Sequence, residues 1–190
     1  MITMARRKRL LQVAAHRQRG LTVVLENIWD PHNIAAILRT CDAVGIQDVH
    51  LVYDRDTFPG IGAKAAAGVK KWLHIERHAT IVACYRVLRR AGYRILASTL
   101  AGKPISLYRL KLRPPTALVF CNEHHGASDA AARLADGTFR IPQVGFAQSL
   151  NVSVAAAVTL YEAFRQRQRA PTRLSKPRRE RLLRAWHKLA

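Results

Sequence analysis

Three short polar clusters hold most of the side chains in this chain that could do chemistry: WDPHN (29–33), NEHHGAS (122–128) and VGFAQSLN (144–151). Asn33, Glu123, Gln148, Ser149 and Asn151 are compact hydrogen-bonding groups, suited to orienting a ligand or a proton-bearing group. Gly145 is free to take backbone conformations closed to other residues. Taken alone, the third cluster also reads as an ordinary loop, with Ser149 or Asn151 capping a helix that begins at Val152. His124 and His125 beside Glu123 invite a metal reading. Consecutive side chains diverge, however, and no third ligand is near in sequence, so no metal is expected.

The elements that must position these groups alternate. The runs 21–27, 48–54, 94–99 and 116–122 are apolar and β-branched, and a shorter run, TFRIP, covers 138–142. Near-continuous apolar strands imply a sheet covered on both faces. Asp30 and Pro31 make a cap and first-turn pair for a helix with Ile34, Ile37, Leu38 and Cys41 inward, ended by Gly45. Thr80 starts another, with Ile81, Val82, Tyr85 and Leu88 expected inward before Gly92. The βαβ rhythm predicts an α/β fold, a parallel sheet flanked by helices, whose ligands sit beyond the carboxyl ends of the strands. Each polar cluster follows a strand, so all three are expected to line one cleft. Arg39 lies roughly 150° around its helix from the core face, and roughly 240° from Asn33, so spacing alone does not bring the two to one point.

The formal net charge of +20 over 190 residues implies a large anionic partner, with nucleic acid leading. The charge sits at the ends. The first twenty residues hold Arg6, Arg7, Lys8, Arg9, Arg17 and Arg19 without an acid, and the last thirty hold ten basic residues against Glu162 and Glu180. Both read as phosphate-binding arms, 1–20 and 169–190, around a central domain, 21–168. In the tail, an apolar face of Leu182, Leu183, Trp186 and Leu189 is expected to leave Arg178 and Arg179 free. No apolar stretch approaches the roughly 20 residues that cross a bilayer. Cys41, Cys84 and Cys121 are scattered without a CxxC pair, which suits a reducing, cytoplasmic compartment.

Three blocks carry a family resemblance: PHNIAAILRTCDAVG (31–45), LVFCNEHHGAS (118–128) and IPQVGFAQSLNVSVAAAV (141–158). They resemble the SPOUT superfamily of knotted methyltransferases, and within it the TrmH (SpoU) family of RNA ribose 2′-O-methyltransferases. The likeness spans about residues 21 to 168 and implies a deep C-terminal trefoil knot that binds S-adenosylmethionine. It assigns Ser98, Leu100, Cys121, Asn122, Gly126, Ile141 and Leu150 to the cofactor. Relatives commonly have glycine where this chain has Cys121, so that side chain is expected to crowd the pocket.

The resemblance further implies methyl transfer to a ribose hydroxyl, with Arg39, Asn33, Glu123, Ser149 and Asn151 as the catalytic set. A guanidinium stays protonated in proteins, so the expected role of Arg39 is to clamp an RNA phosphate beside the 2′-hydroxyl. Asn33 and Asn151 would orient Arg39 or the ribose, and Glu123 would fix its loop or pair with basic groups. Arg6, Arg7, Arg9, Arg178 and Arg179 would contact the RNA. The pattern looks most like the tRNA-acting branch that modifies the D-loop guanosine at tRNA position 18. A ribosomal RNA substrate and a non-catalytic RNA binder are the alternatives. A homodimer is expected, with the small-residue run Ala155 to Ala157 allowing close helix approach.

Overall fold

Where the sequence runs apolar without alternation, the chain forms the middle of a seven-stranded, all-parallel sheet. The computed structural model describes residues 2–55, 57–59, 68–168 and 172–189. The strands are β1 (Leu21–Glu26), β2 (Asp48–Val52), β3 (His74–His78), β4 (Arg94–Ser98), β5 (Ile105–Ser106), β6 (Thr116–Cys121) and β7 (Gly137–Arg140). Their spatial order is β3-β2-β1-β6-β4-β7-β5. Every residue of β1 and β6 is buried, because helices cover both faces of the sheet there.

The helices are α1 (Met4–His16), α2 (Pro31–Ala43), α3 (Ile81–Arg90), α4 (Asp129–Leu134), α5 (Val152–Gln168) and α6 (Lys176–His187). Alternate residues of β1 separate two cores. Val23 and Leu25 pack under α2 and α5 with Ile34, Leu38, Ala156 and Leu160. Val24 faces α3 and α4 with Ile81, Tyr85, Leu88 and Ala131. The expected caps are in place: Asp30 accepts from the His32 amide at 2.8 Å, and Thr80 from the Ala83 amide at 3.1 Å. Gly45 ends the segment after α2 at φ +82°, and a Cβ there would stand 2.6 Å from the His16 carbonyl oxygen.

Several expectations change. Val82 is exposed on α3, and Cys84 takes its inward place beside Tyr85. The strands end one or two residues sooner than the apolar runs, and β7 begins at Gly137. Gly145 does not use the left-handed region; the glycine of the site that does is Gly126, at φ +68°. Ala156 is buried in the core against α2, so its small size serves the packing of α5 within the chain.

The two basic ends form helices that meet each other. Residues 169–171, at the expected boundary, lie outside the described residues. On either side, Gln18 bridges to Arg173, and the Arg19 amide donates to the Thr172 carbonyl at 2.9 Å. Helices α1 and α6 pack together through Leu10, Ala14 and Trp186. Two arginines near the basic ends are buried pins. Arg167 donates to the carbonyls of Leu112 and Arg113, both at 2.9 Å, and to the Gln18 side chain at 2.7 Å. Arg17 pairs with Asp42 at 2.5 Å and lies over the Trp186 ring; burial lowers its pKa, and the Asp42 carboxylate opposes that shift.

Candidate active site

The turn after β6 is built by Asn122. Its side-chain oxygen accepts from the amides of His124 and His125 at 2.8 and 3.0 Å, while its side-chain nitrogen donates to the Asn27 carbonyl at 2.7 Å. The turn closes where the Gly126 amide meets the Asn122 carbonyl at 2.9 Å. Beneath it the buried Glu26 carboxylate accepts from the Ser128 amide at 3.1 Å and from its hydroxyl at 2.6 Å. The same hydroxyl caps α4 through the Ala131 amide. Burial, next to the Glu26 carboxylate, raises the Cys121 pKa well above the usual thiol range, so Cys121 is a neutral apolar wall.

This turn projects Glu123 onto the WDPHN loop. Its carboxylate accepts from the Trp29 amide at 3.0 Å, the Asp30 amide at 3.5 Å and the Asn33 side-chain amide at 2.7 Å. Asn33 in turn accepts from the Asn151 side chain at 3.0 Å. Asn151 is also the cap of α5, accepting from the Ser153 and Val154 amides at 2.8 and 3.3 Å. One hydrogen-bonded chain, Glu123–Asn33–Asn151, thus ties all three polar clusters together, although its members are up to 118 positions apart.

A cavity of about 520 Å³ opens beside that chain, at the carboxyl ends of β4, β6 and β7 and the amino end of α5. This is the region where parallel α/β folds hold ligands, and the volume suits a nucleoside-sized molecule. Ser98, Leu100, Cys121, Asn122, Gly126, Ile141 and Leu150 all line it, with Glu123, Ser149 and Asn151. Phe120, Val152 and Ala155 add apolar surface, and Thr99, Arg140 and Gln143 add polar atoms that the sequence did not single out. Cys121 contributes to this wall without closing the cavity. His124 and His125 line it and are exposed.

Arg39 is not brought to this cavity within its own chain. It is exposed on α2 and makes no hydrogen bond or ion pair with the described residues. Six residues beyond Asn33, it is roughly 9 Å further along the helix axis and turned away from the amide chain. Asn33 and Asn151 satisfy each other and Glu123, so neither orients Arg39 here. Ser149 lines the cavity, and the cap role falls to Asn151.

Of the proposed RNA contacts, Arg6, Arg7 and Arg9 are exposed on α1. Arg178 is not free: Asp48 holds its guanidinium at 2.5 Å, because the apolar face of α6 seats the helix against α1 and Trp72. Arg179 is half-buried. Trp29, to which the sequence assigns no role, is 61% exposed while its backbone amide is held by Glu123.

Residues 20–161 match the model of the SpoU rRNA Methylase family. The tRNA (guanosine(18)-2′-O)-methyltransferase of Thermus thermophilus is 43% identical over 168 residues, covering 88% of this chain and 86% of that protein. Its namesake from Escherichia coli is 41% identical over 162 residues, covering 85% and 70%. Among solved structures, the Aquifex aeolicus TrmH/SpoU tRNA modifying enzyme superposes with a TM-score of 0.89 at 34% identity, covering 98% of each chain. The SpoU methyltransferase AviRb from Streptomyces viridochromogenes, solved in complex with AdoMet, gives 0.71 at 28% identity, covering 81% of this chain and 63% of that one.

Proposed function

Because this chain belongs to the SpoU methylase family, we propose that it transfers the methyl group of S-adenosylmethionine to a ribose 2′-hydroxyl of tRNA, at the D-loop guanosine numbered 18. The observation that carries this reading is the coincidence of the cavity with the Glu123–Asn33–Asn151 chain at the carboxyl edge of the sheet. The cavity fits the cofactor by its volume and by its mixed lining: Phe120, Cys121, Ile141 and Val152 offer apolar surface, and the 98–101 and 122–127 segments offer polar backbone. When bound there, S-adenosylmethionine supplies an electrophilic methyl on its sulfonium. The deep trefoil knot belongs to the same reading. It is supported by the return of the chain from the edge strand β5 to the central β6, and by the likeness to the solved SpoU structures.

The work left to the protein is to hold the ribose in line and to dispose of its proton. Asn151 and Ser149, which line the cavity, orient the ribose, while Glu123 holds the first turn of α2, which carries Asn33. Arg39 stays protonated and binds the phosphate beside the reacting hydroxyl in bidentate fashion, so that the phosphate or a water relays the proton. The chain works as a homodimer in the cytoplasm. Arg39 lies outside its own chain's cavity, and a second copy would bring it to one. The apolar residues Val144, Phe146, Val154 and Tyr161, exposed around and along α5, supply a surface for that copy. No helix among the described residues is long and apolar enough to cross a membrane.

The direct test is a radiolabelled methyl-transfer assay on unmodified tRNA transcripts, with ribose methylation mapped by nucleotide. The expected product is a single 2′-O-methylguanosine in the D-loop, absent when that nucleotide carries a 2′-deoxyribose. Transfer to ribosomal RNA fragments in preference to tRNA would support a ribosomal substrate, and no transfer to either would leave an RNA-binding protein.

A further inference from the structure

Under α3, at the edge of the sheet three strands from β6, polar side chains occupy a place where a core would be expected. His50 on β2 is directly paired with Glu76 on β3. Two residues on, His78 lies on the same face of β3, and Cys84 points inward from α3. The His50 Nδ1 and His78 Nε2 atoms are 2.9 Å apart, and a ring nitrogen of each histidine lies within 4.8 Å of the Cys84 Sγ. The Glu76 carboxylate stands beside the two imidazoles, with one oxygen 3.7 Å from His50 Nδ1 and the other 3.8 Å from His78 Nε2. The imidazoles and the thiol are buried; Glu76 closes the solvent side.

We infer that His50, Glu76, His78 and Cys84 form a binding site for a zinc ion. Zinc takes four tetrahedral ligands from this donor set, and zinc–nitrogen and zinc–sulfur bond lengths put neighbouring donors about 3.3–3.6 Å apart. The separations among His50, His78 and Glu76 bracket those values, and the thiol lies within 4.8 Å of the imidazoles, so an ion would draw Cys84 and the partly exposed Glu76 carboxylate inward by side-chain rotation. As the metal–sulfur bond forms, the thiol releases its proton to solvent. A thiolate, a carboxylate and two neutral imidazoles then balance the dication, leaving no net charge under the helix. The ion would clip the edge strand β3 to β2 and to α3. The donors come from β2, β3 and α3, and Glu76 and His78 are the one pair close in sequence, so no ligand spacing marks the site in the sequence; the adjacent pair His124 and His125 lies outside this group.

The untagged full-length protein, stripped with a chelator and dialysed, should be titrated with cobalt(II) and then with zinc(II). The expected result is one ion per chain, visible cobalt bands of tetrahedral intensity and a near-ultraviolet thiolate-to-cobalt band, all displaced by zinc. At zinc concentrations about 100-fold above Kd the melting temperature should rise by roughly 5 °C or more. The variants Cys84→Ser and His50→Ala should lose the sulfur band and the stoichiometric binding respectively, with circular dichroism confirming their fold. If neither variant folds, X-ray absorption on the wild-type zinc form decides, with one sulfur and two imidazoles expected in the shell. Absence of stoichiometric binding by the wild type, or binding unchanged in both folded variants, would overturn the site.

Discussion

Glu123 is the residue on which the candidate site depends most for its shape, because one carboxylate holds two backbone amides and the Asn33 side chain. Replacing it with alanine leaves those donors without their acceptor, at a cost of about 1–3 kcal/mol. The Glu123→Ala protein is expected to melt lower and to bind S-adenosylmethionine more weakly, measured by calorimetry. Arg39 makes the opposite prediction. Exposed and without protein partners among the described residues, its removal should leave stability and cofactor affinity unchanged while methyl transfer falls by about 10²-fold or more. Equal loss of cofactor binding in Arg39→Ala would place the guanidinium in the cofactor pocket instead. Trp29 offers an exposed ring on a rigid loop beside the amide chain, a surface on which an unstacked base can rest. Trp29→Ala should weaken tRNA binding by about 1–3 kcal/mol, with the cofactor titration unaltered; unchanged tRNA affinity would remove the ring from recognition.

Among the elements, α1 and α6 form a pair laid against the body rather than two independent tails. Trp186 holds the pair: its ring packs edge-on against Trp72, and its indole nitrogen donates to the Trp72 carbonyl at 3.2 Å. A buried tryptophan truncated to alanine costs about 3–5 kcal/mol. Since α6 is the last helix and its contacts lie largely with α1, that loss should appear as local opening. Hydrogen exchange is expected to show α6 amides losing protection in Trp186→Ala while β1 and β6 keep theirs. Loss of protection throughout the sheet would mean that the helix pair is integral to the fold. Arg17 and Arg167, buried beneath this layer, explain why so many arginines of the termini cannot be counted as phosphate ligands.

At the scale of the whole molecule, charge and assembly make separate predictions. Arg6, Arg7 and Arg9 are exposed together on α1, while Arg178 is spent on Asp48. Replacing all three exposed residues with alanine should flatten the log–log salt dependence of tRNA binding by about 2 to 3, since each lost phosphate contact removes roughly 0.7 to 0.9. Arg178→Ala should change the slope less than any one of them. Sedimentation equilibrium at micromolar concentration should give twice the 21.3 kDa chain mass. An active monomer would sink the shared-site reading. Tyr161→Arg on the exposed face of α5 is the informative disruptor, because Ala156 is buried within the chain and would report only on folding.

What the sequence determined by itself was local or periodic. The apolar runs named four of the strands of a parallel sheet, and Asp30 and Thr80 marked helix starts through side chains that reach amides two or three residues on. Of the three polar clusters, which each follow a strand, the second and third line the cavity, while 29–33 does not and is tied to them through Glu123 and Asn151. The motif blocks carried the family, and the residues that the resemblance assigns to the cofactor line the cavity. The two edge strands escaped notice because β3 alternates His74, Glu76 and His78 with Arg77 and a single apolar residue, the partly buried Ile75, and β5 is two residues long. Only the tertiary structure decided which polar groups meet: Asn33 with Asn151, Arg178 with Asp48, and His50 with His78. Burial and partner choice depend on what other segments bring within about 3 Å, and charge counts and helix wheels hold no record of that. The same reason separates Arg17 and Arg167 from Arg6 and Arg7: all four are arginines of a basic terminus, but two of them are enclosed by carbonyls and a carboxylate contributed from elsewhere in the chain.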